Sequence, residues 1–197
     1  MPCASRDEEI RRTRTFWIIV IAAALLSAGG AGPAVIEYAP ILVSAGQGQK
    51  PEPTLWVPCP NNGREAAEHR VVRTFQRGPG VAPAATMPGG TSQLVCGNDA
   101  YGYYHIVNRH YVEWNEKSIK TSENWREVAD YAIAEALKNP QTVAFRAVNN
   151  TFCYSREIYL VNKVTGAIVN VTYPNVVLRG QDGVIITAFP AGAQCRG

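Results

Sequence analysis

A chain of 197 residues with a 46% apolar fraction has room for one domain of ordinary size plus a terminal segment, and it is too apolar for a wholly solvated polar chain. A net charge of +3 permits a nucleic-acid partner without demanding one. No nucleotide-binding glycine loop, nucleophile elbow, or Cys-x-x-Cys or His-x-x-x-His zinc spacing occurs, so those classes of site are set aside and no cofactor or metal is expected.

Residues 1–15 carry Arg6, Arg11, Arg12 and Arg14, partly offset by Asp7, Glu8 and Glu9. The stretch Phe16 to Ile36 is uncharged, with an apolar centre from Trp17 to Leu26 followed by small residues. This order fits a signal peptide or a single transmembrane helix, both of which place the rest of the chain outside the cytoplasm, and a buried core helix is the third reading. The cysteines agree. Cys3 precedes the apolar run, whereas Cys59, Cys96, Cys153 and Cys195 follow it, an even number that suggests two disulfides in an oxidising compartment. Of the three connectivities, Cys59 with Cys96 and Cys153 with Cys195 is favoured, because it staples the segment before the domain and the C-terminal tail separately.

Residues 37–93 read as a linker rich in Pro and Gly, with a short helix over Arg64 to Phe75 suggested by Ala66, Ala67, Val71 and Phe75. The compact domain is expected over 94–197. Its first element, Tyr101 to Trp114, reads as a short helix or an irregular aromatic segment. A second helix follows, capped by Thr121 or Ser122, with Glu123 in its first turn and Trp125, Val128, Ala129, Ala132, Ile133, Ala136 and Leu137 at helical spacing. Lys138-Asn139-Pro140 ends it. The period then becomes two. Strands are expected at Thr142–Val148, Thr151–Val161, Ala167–Tyr173 and Val184–Phe189, the last entered through the turn Gly180-Gln181-Asp182-Gly183. The fold class is therefore α+β, with N-terminal helices followed by a twisted four-stranded antiparallel sheet.

Two segments about eighty residues apart carry candidate chemistry. His105-Ile106-Val107-Asn108-Arg109-His110 places two imidazoles and a guanidinium in six residues, and Ile186-Thr187-Ala188-Phe189-Pro190 adds a hydroxyl on a strand. Imidazoles exchange protons near neutral pH, and a guanidinium grips phosphate. RNA cleavage by internal attack needs such a base, such an acid and such donors. On a regular helix residues 105 and 109 share a face, whereas 105 and 110 lie about 140° apart, so both histidines reach one cleft only if the helix ends or bends near Asn108. The bland readings are packing roles for the histidines, an Arg109–Glu113 ion pair, and Thr187 as a plain strand former. Tyr101, Tyr103 and Tyr104 suit base stacking or a core. His69 receives no role.

The segment Tyr104 to His110, then a helix, then strands ending in Gly183 to Pro190, resembles toxin nucleases of the barnase/EndoU/colicin/RelE-like superfamily. It is also similar to the RNase A-like tips of contact-dependent inhibition toxins. The resemblance covers roughly residues 100–190. It implies metal-independent RNA cleavage, with His105, Arg109, His110 and Thr187 as catalytic residues. Lys117, Tyr104 and Phe189 then become substrate contacts, RNA (tRNA included) the substrate, and an immunity protein a candidate partner. Two departures stand out. Phe189 falls where many relatives carry tyrosine, and the basic residue after the motif has only Lys117 as its nearest match. The alternative is an exported or membrane-anchored α+β binding module without catalysis, and a third reading is a small cell-envelope protein of unrelated fold in which the motifs are coincidental.

Overall fold

The computed structural model describes residues 34–38, 56–60, 67–121, 123–162, 165 and 167–196, with only the backbone of 34–38, 121, 161 and 162. Strand β1 is Ala34–Tyr38, so the last three residues of the apolar run are strand rather than helix. The run from Phe16 to Pro33 lies outside the described residues. Among the described residues no helix is long and apolar enough to cross a membrane.

Strands occupy much of what the sequence reads as linker. β2 (Val71–Arg77) pairs antiparallel with β5 (Gly90–Val95), and between them β3 (Gly80–Ala82) and β4 (Ala85–Met87) form a short hairpin. Val72, Phe75, Met87 and Leu94 belong to the main core, so the domain does not begin at Leu94. The helical-looking spacing before Phe75 has a physical cause. The β2–β5 register shifts between Val71 and Arg73, and this bulge puts Val72 and Phe75, three apart, on the buried side of a strand. Three-residue strands divided by Pro and Gly are too short to show a period of two.

Helix α1 spans Gly102–Thr121 without interruption, and α2 spans Trp125–Lys138. The cap of α2 is Asn124 rather than Thr121 or Ser122. Its side chain accepts from the Arg126 amide, and Glu127 reaches back to the Asn124 amide in a capping box. The α2 stripe Val128, Ala129, Ala132, Ile133, Ala136 and Leu137 is buried as its spacing requires. Asp130, also buried on α2, accepts from Trp56 Nε1 at 2.8 Å and from Arg73 at 2.9 and 3.3 Å, tying the Trp56 segment and β2 to the helix.

The main sheet has six strands rather than four and mixes one parallel pairing with the antiparallel ones, and five of its strands cover the four expected segments. They are β6 (Thr142–Arg146), β7 with β8 (Thr151–Ser155 and Ile158–Asn162), β9 (Ile168–Arg179) and β10 (Ile185–Ala191). The expected second strand breaks at Arg156-Glu157, and both halves pair antiparallel with the twelve-residue β9. β6 lies outside β7, β10 lies along the other side of β9, and β1 adds to β8 in parallel. The Asp182-Gly183 turn closes the β9–β10 hairpin, with Gly183 at φ 72° as such a turn needs. Val176, Leu178, Ile185, Ala188, Phe152 and Tyr154 join the helices in the main core. Ala144, Cys153 and Cys195 make a smaller cluster with Val177. The disulfides are Cys59–Cys96 and Cys153–Cys195, the favoured pairing.

Candidate functional site

Helix α1 lies along β10. Gly102, Ile106, Trp114 and Ser118 are buried at intervals of four or multiples of it, and His110 falls in the same stripe, half-buried between Ile106 and Trp114. Trp114 Nε1 donates to the Ala188 carbonyl of β10 at 3.0 Å. One turn up, the His110 ring stacks on Phe189 with centroids 4.9 Å apart and planes 23° apart.

The helix neither ends nor bends at Asn108, yet the two imidazoles meet, with centroids 5.7 Å apart at 69°. Ring reach, not helix distortion, closes the angular gap between them. Each ring is held at Nδ1. His105 Nδ1 lies 2.7 Å from the Asp99 carbonyl, and since a carbonyl can only accept, Nδ1 carries the proton. His110 Nδ1 lies 2.7 Å from Glu113 Oε2, so a carboxylate three residues on orients it. Nε2 of each ring has no partner among the described residues and is the atom left for proton exchange. Asn108 donates to Asp99 Oδ1 at 2.7 Å, steadying the loop that holds His105.

The other expected site residues divide. Thr187 stands on β10 beside Phe189, but its Oγ1 is buried and has no hydrogen-bond partner. Arg109 is exposed and pairs with nothing among the described residues, because Glu113 goes to His110 instead of to Arg109. Lys117 sits two turns past His110, about 10 Å along the axis, and donates to Asn170 Oδ1 at 3.1 Å. Burial, with Lys120 nearby, lowers its pKa. Tyr104 is corrected from a substrate contact to a core residue. It is buried, and its hydroxyl donates to the Pro60 carbonyl next to Cys59. Tyr103 packs in an aromatic cluster with Trp56 and Trp125, and Tyr101 lies under the Arg179 guanidinium.

Sequence reading missed Asp99, which anchors His105, and gave Glu113 to Arg109 rather than to His110. The i, i+3 spacing of His110 and Glu113 could have revealed that pair.

No family model matches the chain. The chain is 37% identical over 142 residues to uncharacterized proteins of Mycobacterium tuberculosis, one from strain CDC 1551 / Oshkosh and one from strain H37Rv. The match covers 71% of this chain and 50% of each relative, so the chain spans about half the length of the curated relatives it matches.

Proposed function

We propose that this domain is an exported ribonuclease-like toxin domain that cleaves RNA by histidine acid/base chemistry without a metal. The observation that carries the reading is the contact of two imidazoles, 5.7 Å between centroids, each anchored through Nδ1. A nitrogen exchanges a proton over about 2.6–3.2 Å, so one phosphodiester can span both rings. One imidazole takes the proton of the 2′-hydroxyl, whose oxygen attacks phosphorus. The other gives a proton to the departing 5′-oxygen. The product end is a 2′,3′-cyclic phosphate. Arg109, exposed and without a partner among the described residues, is the cation for the substrate backbone. The two disulfides support an oxidising compartment and hence export. The substrate RNA (tRNA among the candidates), membrane attachment through the N-terminal segment and an immunity partner rest on the resemblance and the apolar run alone.

The second reading, a non-catalytic binding module, is favoured by Phe189, which fills with a plain ring the position where the resemblance expects a phenol, and by its stacking on His110. An oligoribonucleotide substrate separates the two. The nuclease reading expects cleavage that ends in a cyclic phosphate and vanishes at positions carrying 2′-deoxyribose. Cleavage unaffected by 2′-deoxy substitution would overturn the internal-attack mechanism, and no cleavage by the folded protein would favour the binding module.

A further inference from the structure

The loop that anchors His105 is built on a disulfide. Cys96 follows β5 and is fully buried. Its sulfur is bonded to Cys59, its amide donates to the Arg70 carbonyl at 2.8 Å, and its carbonyl accepts from the Tyr104 amide of α1 at 3.0 Å. The chain then turns back. Gly97 sits at φ 63°, where a Cβ would meet the Tyr101 carbonyl, and Asn98 Oδ1 accepts from the Ala100 amide at 2.7 Å. This turn brings the Asp99 carbonyl to His105 Nδ1. Tyr104, the residue before His105, is a second strut, because its hydroxyl donates to the carbonyl of Pro60, next to Cys59. Tyr104 is thus tied to residues 59–60 twice, once through Pro60 and once through Cys96 and the disulfide. His110 is held differently. Its carboxylate partner, Glu113, lies on its own helix and owes nothing to the disulfide.

The two disulfides are not equally open to attack. Cys153 and Cys195 are both buried, at 3% and 7% exposure. Cys59 is half-buried, so of the two bonds Cys59–Cys96 has the more accessible end. Exposed disulfides are the labile ones in thiol exchange.

We propose that Cys59–Cys96 is a thiol-sensitive control on the imidazole pair, opened before Cys153–Cys195 and coupled to His105 through Cys96, Asp99 and Tyr104. A thiolate from a small thiol attacks Cys59 Sγ, and Cys96 leaves as a thiolate that takes a proton. A second thiol then attacks the mixed disulfide. Two thiols are oxidised to one disulfide, and the protein gains two cysteine thiols. With the bond open, Cys96 loses one of its three anchors and the Asp99 carbonyl loses its fixed place at His105 Nδ1. His105 is then free to change tautomer and orientation, whereas His110 keeps its carboxylate. The functional consequence rests on the nuclease reading: among reduced thiols the pair stays unassembled, and oxidation after export assembles it. The coupling of the bond to His105 does not depend on that reading.

The test titrates the oxidised full chain with dithiothreitol. At each step freed thiols are blocked with iodoacetamide and located by mass spectrometry. The histidine ring nitrogens are read by NMR, the fold by near-UV circular dichroism, and cleavage of total RNA is measured in EDTA. The proposal expects Cys59 and Cys96 to be labelled first, with the fold and Cys153–Cys195 intact. At that step the His105 Nδ1 signal should change and that of His110 should stay. Cleavage should fall by about 10-fold or more, a share of the roughly 10²–10⁴-fold that a positioned acid or base supplies. Reoxidation should restore both readouts. Labelling of Cys153 and Cys195 first, or of all four cysteines together with loss of the fold, would overturn the proposal. So would an unchanged His105 signal and unchanged cleavage once Cys59–Cys96 is open, which would leave the nuclease reading intact. A change at His105 Nδ1 in a protein that cleaves nothing at any step would support the coupling and overturn the nuclease reading instead.

Discussion

Buried side chains in this domain differ sharply in how well their polar atoms are served. Asp130 accepts three hydrogen bonds from Trp56 and Arg73, whereas the Tyr154 hydroxyl is buried against the β3 backbone at Gly80 with no partner. Desolvation raises the Tyr154 phenol above its ordinary value of 10.0, with the nearby Arg77 charge opposing. Its folded pKa is therefore higher than its unfolded one. The neutral phenol's contribution is fully present below pH 10 and is lost as pH rises past the unfolded value toward the folded one. Removing an orphan hydroxyl removes its desolvation cost, so Tyr154→Phe should gain stability by roughly 1 kcal/mol at neutral pH. Its stability should also fall less steeply above pH 10, by the share of one proton. Urea unfolding at pH 7 and pH 10.5 checks both. A variant that loses more than about 1 kcal/mol would show that the hydroxyl has a partner after all.

At the scale of elements, α1 against β10 builds the candidate site. A strand at the edge of a sheet presents unpaired carbonyls and amides, and α1 covers this one, with Trp114 Nε1 supplying a donor to Ala188. Trp114→Phe keeps most of the buried ring and removes that donor. It should cost about 1–3 kcal/mol, the range for a buried acceptor left unserved. Because His110 and Phe189 lie on the same two elements, it should also lower any cleavage activity. Denaturation together with rates at a temperature where the variant is folded would read this. An unchanged midpoint would mean that the hydrogen bond contributes little.

Legibility follows from the same elements. The second helix, the positions of the main strands and the Asp182-Gly183 turn were readable because each satisfies one period or one turn rule over enough residues, but β9 runs past Tyr173 to Arg179 and the second expected strand is two. The cap on Asn124 was obscured by Thr121, Ser122 and Glu123, equally good cap or first-turn residues just before it. β2 to β5 were hidden by a bulge that imitates helical spacing and by strands of three residues. At the site, His105 and His110 were legible as reactive residue types. Their contact was not, because angular position on an ideal helix ignores the reach of side chains. Tyr104 misled because a tyrosine's environment, core or cleft, is set by distant residues such as Pro60.

As a whole, the domain is held by one main core and by two disulfides that close segments of 37 and 42 residues. Covalent loops of that length remove considerable freedom from the unfolded chain, on the order of 4 kcal/mol each in the chain-entropy account. The fold is thus suited to a compartment where thiols are oxidised, and any assay must keep it oxidised. The same scaffold brings α1 and β10, more than sixty positions apart in sequence, together at one pair of imidazoles. The central claim is that this pair does chemistry. The most direct measurement is cleavage of total RNA by the oxidised full chain in EDTA, beside His105→Ala and His110→Ala of the same protein with folding verified by circular dichroism. The account predicts cleavage by the wild type and a loss of at least about 10²-fold in each variant, the scale of a missing general acid or base. Equal cleavage by all three proteins, or none from a folded wild type, would contradict it.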